Sequence, residues 1–276
     1  MTKRRKEVEE KLSTMRRDGR ESVLVVADFD MTLTSFLMPD GSRGMSTHGM
    51  LERSGYFGEA FTTRAKDIFN RFYPIEVDPN LDWDSKFAAM SEWWETTHKL
   101  IVEQEVTKKD IAACVKAGHF RFREGVPELL AQLKEREVPI LVFSAGIADV
   151  LEEIFKQRLG LEGLPIISNK MKFDEEGKLV GFENNTIHIM NKGAVALEGQ
   201  NLELVKDKSN VILLGDSLGD LRMADGLPNK QQVLKIGFLN DKIEERKEEY
   251  LEKFDVVIVN DGPMTAVNEL LAPIFA

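Results

Sequence analysis

The run Ser22-Val-Leu-Val-Val-Ala27 leads straight into Asp28-Phe-Asp30-Met-Thr32-Leu-Thr34, and this junction decides how the chain is read. The apolar residues do not alternate with polar ones, as expected of a strand covered on both faces. Val138-Pro-Ile-Leu-Val-Phe143, Asn210-Val-Ile-Leu-Leu214 and Asp255-Val-Val-Ile-Val259 have the same character. Amphipathic stretches at 125–134 and 147–158 are suited to crossover helices. Strands and helices at this spacing predict an α/β fold with a doubly wound, Rossmann-like parallel sheet. Residues 36–119 break the rhythm. They show no good strand, carry helical patterns at 62–72 and 81–104, and end in Ala117-Gly-His119. The reading is a core of 1–35 and 120–276 with an inserted helical cap of 36–119. A hairpin is expected within 171–190, turning at Asp174-Glu-Glu-Gly177.

Of the 276 residues, 42% are apolar and 30% charged, a balance that fits a globular chain. The formal net charge of −10 argues against general binding to nucleic acid or to anionic membranes. It also means that any phosphorylated ligand must meet a local reversal of charge. Cys114 is the single cysteine, so no internal disulfide forms, and its expected role is that of a small buried apolar residue. No stretch reaches the ~18 apolar residues of a membrane span. The beginning lacks the apolar core of a signal peptide, and the expectation is a cytoplasmic protein. Lys3-Arg-Arg-Lys6 reads as a solvated helix turn rather than a nuclear signal, and the sequon at Asn184 as coincidence.

Ligands of such sheets bind at the carboxyl ends of the strands. Here those ends carry Asp28 and Asp30, Ser144 with Ala145 and Gly146, and Asp216 with Asp220, while Asn191-Lys192-Gly193 opens another helix. Each alone has a plain alternative, since an aspartate after a strand is often only a helix cap. Together they bring four carboxylates, a hydroxyl and an amine to one sheet edge. Such carboxylates repel unless a cation lies among them, and oxygen ligands point to a hard ion, Mg²⁺.

The order of these motifs resembles the haloacid dehalogenase superfamily of phosphohydrolases. Asp-x-Asp-x-Thr at 28–32, Ser144, Lys192 and the acidic pair Asp216 and Asp220 match its four signatures. Further stretches are similar to the cytosolic 5′-nucleotidase III family: Tyr73-Pro-Ile-Glu-Val-Asp-Pro79, Phe143-Ser-Ala-Gly146, Gly215-Asp-Ser217, Gly219-Asp-Leu221 and Met223-Ala-Asp-Gly226. The resemblance implies hydrolysis of a nucleoside 5′-monophosphate, with Asp28 as nucleophile and Asp30 as general acid and base. It implies that Mg²⁺ is bound by Asp28, the backbone carbonyl of Asp30, and Asp216, with Asp220 supporting that shell. Ser144, the amide of Ala145 and Lys192 then hold the phosphoryl group. In the cap, it implies that Glu76, Trp94 and Thr97 meet the base. Read from the residues alone, Glu76 is an ordinary surface carboxylate and the aromatics at 93 and 94 are core, with His48 a structural residue of a loop near the cap entrance.

The Trp93-Trp94 pair is similar to the 7-methylguanylate branch of the family, whereas the pyrimidine-selective branch resembles Trp-Tyr. Thr97 is a departure whose methyl crowds the base where serine or alanine would not. Three rival readings remain at this stage. One is another phosphatase or phosphotransferase of the superfamily acting on a different small phosphorylated metabolite. The others are a receiver-type signalling domain, which lacks the second aspartate and the insertion, and a catalytically dead nucleotide binder. No protein partner is evident, and the chain is expected to be a monomer.

Overall fold

The computed structural model describes residues 1–78, 80–194 and 199–275. Pro79, the end of one motif quoted above, lies outside the described residues. Helix α1 (Arg5–Asp18) precedes strand β1 (Val23–Ala27), which is followed by helices α2 (Thr47–Glu52), α3 (Glu59–Val77), α4 (Trp83–Val102) and α5 (Lys108–Ala117). Then come α6 (Val126–Glu135), β2 (Ile140–Ile147), α7 (Ala148–Leu159), β3 (Ile166–Asn169), β4 (Met171–Phe173) and β5 (Leu179–Phe182). The chain continues through α8 (Gly199–Val205), β6 (Asn210–Gly215), β7 (Gln232–Leu239), α9 (Ile243–Lys253), β8 (Val256–Val259) and α10 (Thr265–Phe275).

Among the described residues, six strands form one parallel sheet in the order β3-β2-β1-β6-β7-β8. The expected doubly wound fold is present. Its physical basis is visible in β1, whose five residues are all fully buried. Successive side chains of a strand point to opposite faces. Val23, Val25 and Ala27 enter one apolar cluster with α1, α6, α7 and α10, while Leu24 and Val26 enter the other with Val205, Tyr250 and Leu251. Both faces are covered, which is why no polar alternation appears in the sequence.

After β1 the chain crosses toward β2 and β3, and only later returns to build β6, β7 and β8 on the opposite side. The sheet order therefore switches direction at β1. The carboxyl ends of β1 and β6 flank the crevice such a switch leaves.

The stretch between β1 and α6 carries four helices and no named strand among the described residues. Its buried Met50, Leu51, Phe61, Leu100 and Ile111 belong to the same apolar cluster as Val25. The first helix of this stretch begins at 47. Ser46 caps α2 by accepting the Gly49 N–H at 3.2 Å. His48 thus sits in a helix and not in the expected loop. The Tyr73-Pro-Ile-Glu76 stretch is the last turn of α3, with Pro74 inside the helix. The hairpin is β4 with β5, turning at 174–178.

Candidate active site

Asp28 follows β1 directly, and its backbone N–H donates to Leu214 O of β6 at 2.9 Å. The chain then folds back on itself: Leu33 and Thr34 both donate to Phe29 O, and Met31 takes φ +64°. Arg123, 1% exposed, fixes this turn. Its guanidinium donates to Thr32 O at 2.9 Å, Met31 O at 2.6 Å and Gly262 O at 2.7 Å, and pairs with Asp261 at 3.0 Å. Nothing in the sequence singles Arg123 out; its role exists only through contacts with residues far along the chain.

Lys192 lies in a short 3₁₀ turn (Lys192–Ala194) rather than a regular helix, and it reaches the centre of the site. Its Nζ donates to Asp28 Oδ1 and to Asp220 Oδ1, each at 2.6 Å. Burial works against the ammonium, but Asp220 and Asp28 override it and hold its pKa above the ordinary lysine value. Asp220 is fully spent: its other oxygen accepts the N–H groups of Asp216 at 3.1 Å and Ser217 at 2.8 Å, and the Ser217 hydroxyl at 2.9 Å.

Asp28 and Asp216 are different. Asp28 Oδ2 accepts no hydrogen bond among the described residues, and the Asp216 side chain accepts only a long one there, 3.5 Å, from Thr32. Burial pushes the Asp28 carboxyl up to about 7, with Lys192 pulling it down and Asp220 adding to the rise. Burial and then the charge of Asp28 raise Asp216 well above the usual carboxylate range. Ligand atoms of Asp28, Asp216 and Asp220 lie within 4.8 Å of one another. Two buried carboxylates with unspent oxygens, side by side, form a donor set suited to a cation.

Asp30 turns the other way. Thr47 donates to it twice, from N–H at 3.0 Å and from Oγ1 at 3.1 Å. Burial raises the Asp30 carboxyl to about 6 against these two bonds. Ser144 is buried, and its Oγ accepts the Gly146 N–H at 3.0 Å. Ala145 O accepts from Trp94 Nε1 at 2.8 Å and from Asn169 Nδ2 at 2.9 Å.

One cavity of about 230 Å³ joins these groups to the insertion. The strand ends and the turns beside them contribute Asp28, Asp30, Ser144, Ala145, Lys192, Asp216 and Asp220; the helices contribute Glu76, Trp94 and Thr97. Every catalytic, metal, phosphate and base residue expected from the sequence therefore faces a single space. Glu76 is half-buried and lines the cavity rather than standing on the open surface of the plain reading, and burial raises its pKa, partly offset by Arg43 and Lys86. Trp94 is half-buried, with its indole N–H fixed on the sheet and its ring beside Trp93 at 5.4 Å and His48 at 5.9 Å. The cavity also holds Arg43, His48 and Glu52. Sequence reading did not mark Arg43 or Glu52, and no motif signals them. Burial pushes Glu52 up to about 7 and His48 down to about 4, so the histidine is neutral.

The family model of the pyrimidine 5′-nucleotidases (UMPH-1) matches residues 31–275. The 7-methylguanosine phosphate-specific 5′-nucleotidase of Rattus norvegicus is 41% identical over 96% of this chain and 88% of its own. The human protein of that description is 40% identical over the same shares. The crystal structure of cytosolic 5′-nucleotidase IIIB bound to cytidine matches with a TM-score of 0.86 at 30% identity, covering 99% of this chain and 92% of that one. A phospho-aspartyl intermediate analogue of phosphoserine phosphatase shares the fold, with a TM-score of 0.52 at 19% identity over 89% of this chain and 97% of that one. With the acidic strand ends and the helical insertion both in place, the chain belongs to the pyrimidine 5′-nucleotidase family.

Proposed function

We propose that this chain is a Mg²⁺-dependent 5′-nucleotidase that hydrolyses CMP and 7-methylguanosine 5′-monophosphate to nucleoside and phosphate. The observation that carries the reading is the single cavity uniting Asp28 and Asp30 with Glu76, Trp94 and Thr97. Residues 1–35 and 120–276 supply the chemistry, and 36–119 act as the cap that selects the base. The protein works as a cytoplasmic monomer; no described helix is long and apolar enough to cross a membrane.

Asp28 attacks phosphorus, and the nucleoside leaves as the aspartyl phosphate forms, splitting one hard displacement into two easier ones. Asp30, with a carboxyl raised to about 6, is suited to protonate the departing 5′ oxygen and then to deprotonate water. Ser144, the Ala145 amide and Lys192 hold the phosphoryl oxygens. Asp28, the Asp30 carbonyl and Asp216 would hold Mg²⁺, supported by Asp220. The all-oxygen set and the unspent oxygens of Asp28 and Asp216 fit a hard divalent ion. When bound, the ion neutralises negative charge at the phosphoryl group.

N7-methylation leaves a positive charge on the purine, and tryptophan is the best aromatic partner for a cation. Glu76 adds attraction to that ring, and for cytosine it accepts from the exocyclic amine. In a panel of monophosphates scored by phosphate release, CMP and 7-methylguanosine monophosphate are the expected substrates, with GMP and AMP poor. Trp94→Ala is expected to raise KM for the methylated nucleotide roughly 2- to 30-fold, more than for CMP. Equal losses on both, or GMP cleaved as fast as its methylated form, would remove cation recognition from Trp94.

Metal binding must be pH-dependent with a definite sign. The folded Asp28 carboxyl is raised to about 7, so without metal it is protonated below that and competes with the ion. Its protonated state favours folding fully below the ordinary carboxylate value, and that contribution is lost as pH rises through about 7. The increase in melting temperature caused by Mg²⁺ is therefore expected to be larger at about pH 8 than at about pH 6. An increment that shrinks with rising pH would contradict the assignment.

A further inference from the structure

Asp30 is held in a way that substrate turnover alone does not require. Each of its side-chain oxygens accepts a hydrogen bond from the same residue of the insertion: Oδ1 from the Thr47 N–H at 3.0 Å, and Oδ2 from the Thr47 hydroxyl at 3.1 Å. Thr47 is fully buried. Its Oγ1 also accepts the N–H of Ile147, the last residue of β2, at 3.4 Å. Gly146 makes this approach possible, because a Cβ there would lie 2.1 Å from Thr47 Oγ1. The next residue, His48, sets its ring edge-on to Trp94 at 5.9 Å. One turn of α2 thus touches Asp30 on one side and the tryptophan of the cavity on the other.

We infer that Thr47 is a positioning residue that orients the Asp30 carboxyl for proton transfer, an inference that rests on the reading of Asp30 as general acid and base. A free aspartate explores a broad range of χ2. A general acid needs one lone-pair direction aimed at the departing oxygen. Two donors from one residue, one backbone and one side chain, fix both oxygens in one plane. Each oxygen keeps a second lone pair. One of these carries the proton that passes to the 5′ oxygen as the P–O bond breaks. The carboxylate left behind takes a proton from water as its oxygen attacks the aspartyl phosphate. Phosphate leaves, Asp28 is free again, and Asp30 is protonated for the next cycle. Thr47 exchanges no proton and touches no substrate; it acts through Asp30.

Thr47→Val keeps the shape and the backbone N–H but loses the hydroxyl. The test compares it with wild type, Thr47→Ser and Asp30→Asn on CMP and on an aryl phosphate, whose leaving group needs no proton. Thr47→Val is expected to lower kcat on CMP by about 10- to 100-fold, since small misplacement of a catalytic group costs rates of this size. KM on CMP should stay within about twofold. The first-turnover release of the aryl alcohol, which precedes water attack, should be nearly unchanged while that of cytidine slows, and Thr47→Ser should recover most of the CMP rate. Thr47→Cys, a weak donor of similar size, carries the same comparison if the valine variant does not fold.

Wild-type kcat on CMP in the valine variant, or in the cysteine variant if valine does not fold, would overturn the inference, as would equal slowing of first-turnover cytidine and aryl alcohol release, or no recovery with serine. Asp30→Asn separates the two levels. If its first turnover slows cytidine and aryl alcohol release equally, Asp30 is not the proton donor and the underlying reading fails with the inference. If it slows cytidine release far more than aryl alcohol release while Thr47→Val slows neither, only the inference about Thr47 fails.

Discussion

Asp28→Asn is expected to fold normally and to turn over CMP at least about 10³-fold more slowly than wild type. The two side chains are nearly isosteric, and the asparagine oxygen can still accept from Lys192, which sits 2.6 Å from Asp28 Oδ1. What disappears is the attacking carboxylate and one negative charge facing Asp216. A buried carboxyl already pushed up to about 7 gains nothing for folding from its charge. The melting temperature of the metal-free variant should therefore equal or exceed that of wild type. Phosphate release together with thermal melting checks both halves. A well-folded variant retaining about a tenth of the wild-type rate would remove Asp28 as nucleophile.

Arg123→Ala is expected to cost about 3–5 kcal/mol of folding stability, a large share of the usual margin. The guanidinium is 1% exposed and serves the carbonyls of Met31, Thr32 and Gly262 together with Asp261. Removing it leaves the Thr32 and Gly262 carbonyls without their donor, leaves Met31 O with Asn240 Nδ2 at 2.9 Å alone, and strands Asp261 without its charge partner. Lysine should rescue little, because a single ammonium cannot copy a planar fork with five donors. Because the Met31 turn carries Asp30, variants that still fold should also lose activity. Urea unfolding monitored by fluorescence gives the number; a loss under about 1 kcal/mol would mean that solvent replaces the guanidinium.

Most of the strands that were legible in the sequence share one property. β1, β2 and β6 lie inside the sheet with both faces buried, so their apolar runs are unbroken, whereas β8, equally legible, is an edge strand of mixed burial. β3 is a four-residue edge strand with alternating burial, and β7 is interrupted by Lys235 and Gly237, so neither announces itself. The chemistry followed the same logic. Asp28, Asp30, Ser144, Lys192, Asp216 and Asp220 stand at element ends, where their spacing is informative. Thr47 and Arg123 are single ordinary residues, and each gains its role only by reaching the turn after β1 from elsewhere in the chain. The loop reading of His48 fails because the Ser46 cap starts a six-residue helix there, too short to show a period. Glu52 faces the cavity one helical turn after His48, a consequence of α2 that no pattern at 47–52 reveals.

The central claim, that a nucleoside 5′-monophosphate transfers its phosphoryl group to Asp28, is tested most directly by catching the enzyme in that state. Enzyme with Mg²⁺ is mixed with CMP or 7-methylguanosine monophosphate, quenched in acid within one turnover, digested and read by peptide mass spectrometry. A phosphoryl group on the peptide bearing Asp28, formed with both nucleotides and absent in Asp28→Asn, is the predicted result. Phosphate released over that turnover with no phosphorylated peptide, or with the label on another residue, would contradict the account.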